Sequence, residues 1–411
     1  MNDEFIRVAA SDSEEWAKEA ADLVCEGKND ERVLQAAVDR CIEERKNVYL
    51  YNGIYRIDGF YDFGDGGPVT AIRLPNAHRE IIFKGQNNEY GFQKRYDNGV
   101  VLYVTPSALE SIEDTADVIR GTWTFKGIQN GASHNLENLA VVLANNAHPI
   151  RCIDLRRTDR AEVKNVTMVG YGDEIKPDSK VGLHENPALA HEGCIGLTMT
   201  DGSNYNYSNY TNVFTYGFGE GIQVGGEHVV CINCGATLGV YGFTFGNYEV
   251  NCGANHPITL INCLDERNVN LPLFGKFCGD QDGKGGRLIG RQEITMINLN
   301  VERIADKTPG GVVKDRMREV VPGAWSGSIE FTAQPGWCAI NSIDFQLWEN
   351  DGSGSGIKTR NSCHKQMCST EERLSYYPTL NQQLFDTDLG KMLVCIDPEN
   401  KVWVDFLGNK V

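Results

Sequence analysis

The sequence contains no long apolar run, no long basic run and little helical periodicity beyond its first part. No stretch of 18 residues is apolar, so we expect no membrane-spanning helix. The first residues, M-N-D-E-F-I-R-V, lack the basic and apolar regions of a signal peptide. With 39 Lys and Arg against 56 Asp and Glu, the net charge is −17. Neither nucleic acid nor a membrane surface is therefore an expected partner.

Cysteines at metal-binding spacing are also scarce. The 13 cysteines include one C-x-x-C, Cys231 and Cys234, without a second Cys or His pair at zinc spacing. Asp280 and Asp282 lie in G-D-Q-D-G-K-G-G, which lacks the later acidic ligand of a calcium loop. We therefore expect small buried thiols in a reducing compartment, no metal and no other cofactor.

One helical region is predicted, near the N-terminus. The run Glu31 to Ile42 has an apolar stripe at helical spacing, and Asn29 or Asp30 is the expected N-cap. Glu14 to Val24 is a candidate for a further helix. A strand, N-V-Y-L-Y, follows the helical region.

From about residue 70 onward the sequence predicts short strands separated by Gly and Asn turns. Apolar units recur at irregular intervals of roughly 20 to 45 residues, as in stacked repeat folds. Asparagine accepts a left-handed turn conformation, and its amide can bond to the amide of the next unit. A β-propeller is the competing all-β architecture. Each unit carries an asparagine at the same place: Asn138, Asn165, Asn212, Asn233, Asn262, Asn298 and Asn341.

The helical region also carries a resemblance. A-D-L-V-C-E-G-K-N-D-E-R-V-L-Q-A-A-V-D, followed by V-Y-L-Y-N-G-I-Y-R-I, resembles the start of pectin-lyase-like right-handed β-helix proteins. In that group an amphipathic helix caps the solenoid and a G-x-Y strand begins the first coil. The resemblance implies an all-β fold: a single-stranded right-handed parallel β-helix with an N-terminal amphipathic helical cap. It covers about 50 residues and says little about chemistry.

The C-terminal residues, from Phe385 to Gly408, resemble a small β-meander that is common at the ends of phage tail-fibre β-helix proteins. We expect this segment to close the fold or to form a homo-oligomer. The expected domains are residues 1–55 as helical cap and first strand, 56–358 as the parallel β-helix, and 359–411 as connector and C-terminal β segment.

The stretch C-A-I-N-S-I-D-F-Q-L-W-E-N-D-G, residues 338–352, has the alternation of a strand that is buried on one side. Asp344, Gln346 and Trp348 share the outward face, and Glu349 and Asp351 follow. A carboxylate, an amide and an indole suit a sugar ring, whose hydroxyls need polar partners and whose C–H face stacks on an aromatic surface. The alternative is a solvated strand that ends in an acidic turn.

Two other stretches supply candidate sugar contacts. Tyr205 and Tyr207 lie in G-S-N-Y-N-Y-S-N-Y, which alternatively forms a polar loop packed along the fold. Asp265 and Arg267 belong to an earlier repeat unit and are expected to line the same groove as Asp344.

Glycoside hydrolysis usually requires two carboxyl groups, about 5 Å apart with retention or roughly 6.5 to 9.5 Å apart with inversion. Asp344 and Asp351 are the leading pair, and Glu349 is the substitute. A straight strand would hold Asp344 and Asp351 more than about 20 Å apart, at about 3.3 Å per residue. The hypothesis therefore requires a sharp bend at Asn350 to Gly352.

Two late aspartates at this spacing resemble the catalytic pair of the lacto-N-biosidase β-helix family of glycoside hydrolases. The resemblance implies release of lacto-N-biose from an oligosaccharide substrate, with retention and without a cofactor. It assigns Asp344 as general acid/base and Asp351 as nucleophile. Some members need a helical helper domain or subunit to fold, which here would be a separate chain.

Two other function classes remain open. One is a non-enzymatic, phage-like or surface carbohydrate-binding spike, assembled through the C-terminal segment. The other is a polysaccharide lyase. The N-T-D, D-D, G-H-G and R-I-K motifs of polygalacturonases are absent from the sequence, which argues against that class of hydrolase.

Overall fold

The computed structural model of the protein describes most of the chain outside its long loops. The described residues are 4–77, 79–88, 99–121, 133–156, 158, 160–171, 190–199, 207–225, 228–245, 258–268, 273–274, 292–304, 330–331, 338–350, 366–375, 383–397 and 400–411. Only the backbone is described at residues 245, 267, 273–274, 292–296, 298–304, 330–331, 338–350, 366–368, 372 and 374–375. None of the described helices has the length and apolarity needed to cross a bilayer.

The described strands, numbered in chain order, form three sheets. The large sheet has 15 strands: β1 (Phe5–Ala9), β2 (Leu23–Val24), β3 (Asn47–Leu50), β4 (Gly53–Ile57), β6 (Glu80–Gly85), β7 (Val100–Val104), β9 (Ser133–Leu143), β11 (Arg160–Val169), β13 (Ser208–Tyr216), β15 (Val229–Ile232), β16 (Gly235–Thr237), β18 (Ile258–Ile261), β19 (Leu264–Asn268), β21 (Gln292–Ile304) and β23 (Cys338–Asn350). The eight-stranded sheet consists of β5 (Val69–Arg73), β8 (Ala116–Arg120), β10 (Ile150–Asp154), β12 (Ile195–Thr198), β14 (Glu220–Val224), β17 (Tyr241–Phe245), β20 (Leu273–Phe274) and β22 (Glu330–Phe331). The C-terminal sheet consists of β24 (Gln366–Cys368), β25 (Gln383–Asp386), β26 (Lys391–Asp397) and β27 (Val402–Asp405).

The described helices are short, apart from one of 15 residues. They are α1 (Glu15–Ala20), α2 (Asp30–Glu44), α3 (Pro106–Glu110) and α4 (Thr370–Ser375).

The chain alternates between the two larger sheets. Strand β8 of the eight-stranded sheet is followed by β9 of the large sheet, β10 by β11, and β12 by β13. The strand pairs of both sheets run parallel, for example β8 with β10 and β9 with β11. Parallel neighbours need a crossover connection, and here each crossover passes through the other sheet. One apolar core therefore lies between the two sheets, with Ile119 and Val141 among its fully buried members.

Helix α2 belongs to that same core. Its predicted apolar stripe is confirmed, since Leu34, Ala37, Val38 and Cys41 are fully buried in the core cluster. The helix begins after Asn29, which has a positive φ of 48°, and Asn29 makes no side-chain cap bond. The Asp30 carboxylate accepts hydrogen bonds from the backbone N–H groups of Gly27 and Arg56, at 3.0 and 2.9 Å.

The predicted fold class, an all-β single-stranded right-handed parallel β-helix, is wrong for the described residues. Their strands divide among three sheets, and α2 packs into one core with the two larger ones. Helices packed on mainly parallel strands are an α/β-type layout. The repeated sequence units indicate parallel pairing, but such units specify neither the number of sheets nor the packing of a helix against them.

Both ends of the chain also differ from the expectation. Strands β1 and β2 join the large sheet before α2 begins, so the helix does not precede the first strand. The helix predicted over Glu14 to Val24 ends at Ala20, because Leu23 and Val24 pair with β1 instead. The C-terminal sheet is not a simple meander, since β24 runs parallel to β25.

Five of the seven repeated asparagines have the predicted left-handed conformation. Asn138, Asn165, Asn212, Asn233 and Asn262 all have positive φ, between 51° and 57°. The Asn165 Nδ2 donates to Asn138 Oδ1 at 3.0 Å, and the Asn212 Nδ2 donates to Asn165 Oδ1 at 2.9 Å. This amide ladder fixes the register of β9, β11 and β13 where each strand bends.

Candidate functional site

Strand β23, which carries four of the predicted site residues, lies beside β21 in the large sheet. Gln346 is paired with Asn300, and Trp348 with Glu302. Strand β21 pairs in turn with β19, where Glu302 lies opposite Glu266. Neighbouring strands lie about 4.8 Å apart, so Glu266 and Trp348 are at equivalent positions about 10 Å apart.

Two rows of paired positions cross the sheet here, each row on a single face because strand side chains alternate with period two. The amide row contains Phe214, Gly235, Leu264, Asn300 and Gln346. The acid row contains Tyr216, Thr237, Glu266, Glu302 and Trp348.

The burial of the described acid-row residues varies along the sheet. At β9 and β11 it begins with Val142 and Val169, which are fully buried. At β13 and β19 it continues with Tyr216 and Glu266, which are half-buried. Thr237 on β16, between these two strands, is buried, so the row is partly exposed at Tyr216 and Glu266 rather than along the whole face.

Phe214 of the amide row is also half-buried. A Cβ atom placed on Gly235 would lie 2.8 Å from two atoms of the Phe214 ring, so the ring occupies the space above this glycine. The alternating residues Val213 and Thr215 are buried on the core side. Phe214 and Tyr216 thus point away from the core.

Asp265 and Arg267 lie on the same strand as Glu266. Asp265 is buried, and its Oδ2 accepts from the Phe243 N–H at 3.1 Å while its Oδ1 accepts from Asn268 Nδ2 at 2.7 Å. This carboxylate connects the large sheet to β17 and faces away from the acid row. Arg267 lies where the register with β21 shifts, between Glu266 and Asn268. Strand pairing brings both residues within two strands of β23, as expected, but it turns Asp265 toward the core.

Asp344 is opposite Ile297, with register shifts on both sides of that pair. Glu349 is opposite Arg303. Asp351 and Tyr205 lie outside the described residues, so the bend required to join Asp344 with Asp351 stays a prediction.

Tyr207 is described, but the fold does not bring it to the other predicted residues. It immediately precedes β13, and its ring is 65% exposed and lies 4.8 Å from the ring of His228. The amide and acid rows cross β13 at its opposite end, at Phe214 and Tyr216. Tyr207 and Trp348 therefore lie at different ends of the large sheet.

The eight-stranded sheet carries a second polar group that the sequence reasoning missed. We call it the charged belt: Asp117 and Arg120 on β8, Arg151 and Asp154 on β10, and Arg156 just after β10, all at most 6% exposed. A signal was present, since A-D-V-I-R and I-R-C-I-D are strands of equal length with Asp and Arg exchanged. In parallel register each Asp then lies opposite an Arg.

Short ion pairs connect the belt. The Arg151 Nε donates to Asp117 Oδ1 at 2.6 Å, and the Arg156 Nε and Nη2 donate to the two oxygens of Asp154 at 3.0 and 2.9 Å. The Arg120 Nη2 contacts both oxygens of Asp65, each at 3.0 Å.

The two belt aspartates have pKa values displaced in opposite directions. Burial raises the pKa of Asp117 to about 6, against the opposing effect of Arg151. Burial also acts to raise the pKa of Asp154, but Arg156 and Arg151 outweigh it and hold that pKa at about 2. Displaced pairs of this kind occur in active sites and also in structural ion networks. Complete burial and pairing within the belt favour the structural role.

A polar hydrogen-bond network continues the belt along the sheet. The Thr198 hydroxyl donates to Gln223 Oε1 at 2.8 Å, the Gln223 Nε2 donates to Glu220 Oε2 at 2.9 Å, and the Thr244 hydroxyl donates to that same oxygen at 2.7 Å. Buried polar groups normally need such partners, so this network also supports the fold.

Eight cysteines, from Cys25 to Cys395, are buried free thiols, as predicted. Over the described ranges, no cluster of three His, Cys, Asp or Glu side chains is arranged to hold a metal ion.

Comparisons with known proteins do not place the chain. No family model matches it, and neither a curated protein nor a solved structure does.

Proposed function

We propose that this protein is a glycoside hydrolase that acts on an oligosaccharide, with Asp344 and Asp351 as catalytic carboxylates. The observation that carries the proposal is the register of β19, β21 and β23. It aligns Trp348 with Glu302 and Glu266 on one row, next to the row of Gln346 and Asn300.

This alignment supports sugar recognition because it groups the residue types that a pyranose needs. Carboxylates accept hydrogen bonds from sugar hydroxyls, and amides both accept and donate them. An aromatic residue offers a flat apolar surface. Glu349 and Arg303, paired at the next position, fall on the other face of the sheet by the same alternation and do not belong to these rows. On the face that carries the rows, Tyr216 and Glu266 are half-buried, so each keeps part of its surface in solvent, which a substrate requires.

The chemistry follows the retaining two-carboxylate scheme. Asp351 attacks the anomeric carbon while Asp344 protonates the departing glycosidic oxygen, which gives a covalent glycosyl-enzyme. Asp344 then takes a proton from water, and the water oxygen displaces Asp351 from the anomeric carbon. Both net charge and configuration are restored, and no cofactor takes part. Lacto-N-biose is the proposed released sugar.

The test is product analysis with lacto-N-tetraose and a panel of chromogenic disaccharide glycosides, with and without a co-expressed helical helper. We expect release of lacto-N-biose by the wild type and a loss of kcat of about 10²–10⁴-fold in Asp344→Asn and Asp351→Asn. Tyr207→Ala is the matched control, because it removes an exposed ring at the other end of the sheet. No cleavage under either condition would refute the hydrolase.

Leaving-group dependence separates the two roles. A nitrophenolate departs without protonation, so Asp344→Asn should still form the glycosyl-enzyme from a nitrophenyl glycoside in a rapid burst. Asp351→Asn should show no burst with any substrate. The reverse pattern would exchange the two assignments.

A non-enzymatic carbohydrate-binding protein is the second candidate, and one observation favours it. Phe406 and Leu407, at the end of the C-terminal sheet, are 65% and 87% exposed. Exposed apolar residues of this kind often form the interface between copies of a chain. Such a protein would bind glycans with unchanged affinity after Asp344→Asn and would release no product. Unsaturated products that absorb in the near ultraviolet would instead indicate a polysaccharide lyase.

A further inference from the structure

The amide and acid rows extend well beyond the proposed catalytic strand. From β23 they cross β21, β19 and β16 and reach Phe214 and Tyr216 of β13. Four strand spacings of about 4.8 Å separate β23 from β13, so the rows span about 19 Å. An oligosaccharide of several units lying across the strands would cover that distance.

The far end of the rows has side chains suited to a sugar. Phe214 and Tyr216 project away from the core at positions two residues apart, and both are half-buried. Gly235 has no side chain between Phe214 and Leu264, which leaves the Phe214 ring over the strand surface. Glu266, half-buried on the next strand but one, is the carboxylate on the described part of these rows.

The alternative is that these aromatic residues only fill the fold, and Tyr216 does pack against a small buried cluster on this face that includes Val142 and Val169. Both rings nonetheless keep part of their surface in solvent. The core beneath them is filled by Val213 and Thr215, which are fully or almost fully buried. On the same face, Val142 and Val169 are completely buried. Phe214 and Tyr216 are only half-buried and so lie at the edge of this covered region.

We propose that Phe214, Tyr216 and Glu266 form a distal sugar-binding subsite for the arm of the oligosaccharide that is not cleaved. The inference rests on the proposed function, because it assumes that the ligand is an oligosaccharide held at Trp348. The two rings stack on the apolar face of a pyranose, and Glu266 accepts hydrogen bonds from its hydroxyls.

Binding affinity tests the subsite separately from catalysis. Calorimetry on protein carrying Asp344→Asn, which prevents turnover, would compare lacto-N-tetraose with the disaccharide lacto-N-biose. Tyr216→Ala and Glu266→Gln should each weaken tetrasaccharide binding about 3- to 10-fold and leave disaccharide binding unchanged. Tyr216→Phe keeps the ring and should bind like the parent protein, and Tyr207→Ala serves as the matched control.

The outcomes distinguish the two proposals. Turnover by the wild type together with unchanged tetrasaccharide affinity in Tyr216→Ala would overturn the subsite and leave the hydrolase in place. Affinity lost in Tyr216→Ala but kept in Tyr216→Phe, without turnover by the wild type, would support the subsite and refute the hydrolase. Equal losses for both oligosaccharides would show that Tyr216 acts on the whole fold, and would also overturn the subsite.

Discussion

The two larger sheets use polar residues in opposite ways on the faces that point away from their common core. On the eight-stranded sheet, Asp117 and Asp154 are at most 1% exposed and are each paired with an arginine. On the large sheet, Tyr216 and Glu266 are half-buried and reach solvent. Burial, rather than the presence of charge, therefore separates a belt that supports the fold from a face that a ligand can reach.

A local bend explains how the charged belt fits on one face. Arg151 and Ile153 pair with Ile195 and Leu197, so pairing skips Gly196, and in the next pair it skips Gly221. Residues three apart share one side of the sheet here, since Arg120 lies 3.9 Å from Asp117 and Arg151 lies 3.6 Å from Asp154. At Gly221 an added Cβ would lie 2.5 Å from Thr215 Oγ1 of the large sheet, so the two sheets approach too closely for a side chain there.

The largest expected effect on stability comes from breaking a belt ion pair. Arg151→Ala leaves the Asp117 carboxylate buried without its partner at 2.6 Å, which typically costs about 3–5 kcal/mol. Chemical denaturation should show this loss, while affinity for an oligosaccharide is unchanged. Arg40→Ala, which breaks the more exposed pair with Glu44 on α2, is the control and should have little effect. Equal small effects of the two variants would contradict a supporting role for the belt.

The second effect is a dependence of folding stability on pH that comes from Asp117 in the charged belt. In the folded protein the pKa of Asp117 is raised to about 6, whereas an unfolded Asp titrates near about 3.9. The folded state thus binds this proton more tightly. The contribution of Asp117 to stability is fully present below about pH 4 and is lost as the pH rises through about 6, an effect of about 3 kcal/mol.

Asp117→Asn should therefore flatten the dependence of the unfolding free energy on pH between about 4 and 6. Asp154 acts in a different window, because its pKa of about 2 gives stability that is lost only as the pH falls through that value. Asp114→Asn, at an exposed turn, is the control. A slope in Asp117→Asn equal to that of the wild type would show that Asp117 does not titrate in this range.

Local features of the fold were predictable from the sequence, and the overall arrangement was not. The apolar stripe of α2 and the left-handed asparagines depend on residues close in the chain, and both were predicted. The division into sheets depends on contacts between distant segments, such as Asp65 with Arg120, which periodicity does not encode.

The candidate site shows the same limit. Alternation predicts that Gln346 and Trp348 share a face, but only the strand register places them in line with Phe214 and Tyr216. Asp265 was predicted to line the groove from its place in a repeat unit. Its side chain instead turns toward β17, because strand residues alternate and Glu266 takes the other face.

The smallest of the three stability effects tests whether the large sheet is held by its neutral amide ladder, as the eight-stranded sheet is by its ions. Asn165 donates to one neighbouring asparagine and accepts from another, at a φ of 53°. Asn165→Gly loses both hydrogen bonds but keeps the backbone conformation, at a cost of about 1–2 kcal/mol. Asn165→Ala also forces alanine into the left-handed region, which adds about 1 kcal/mol. Thermal unfolding should therefore rank wild type above Asn165→Gly and Asn165→Ala last. If glycine and alanine were equally harmful, the turn conformation would contribute nothing, and the ladder bonds alone would account for the asparagine.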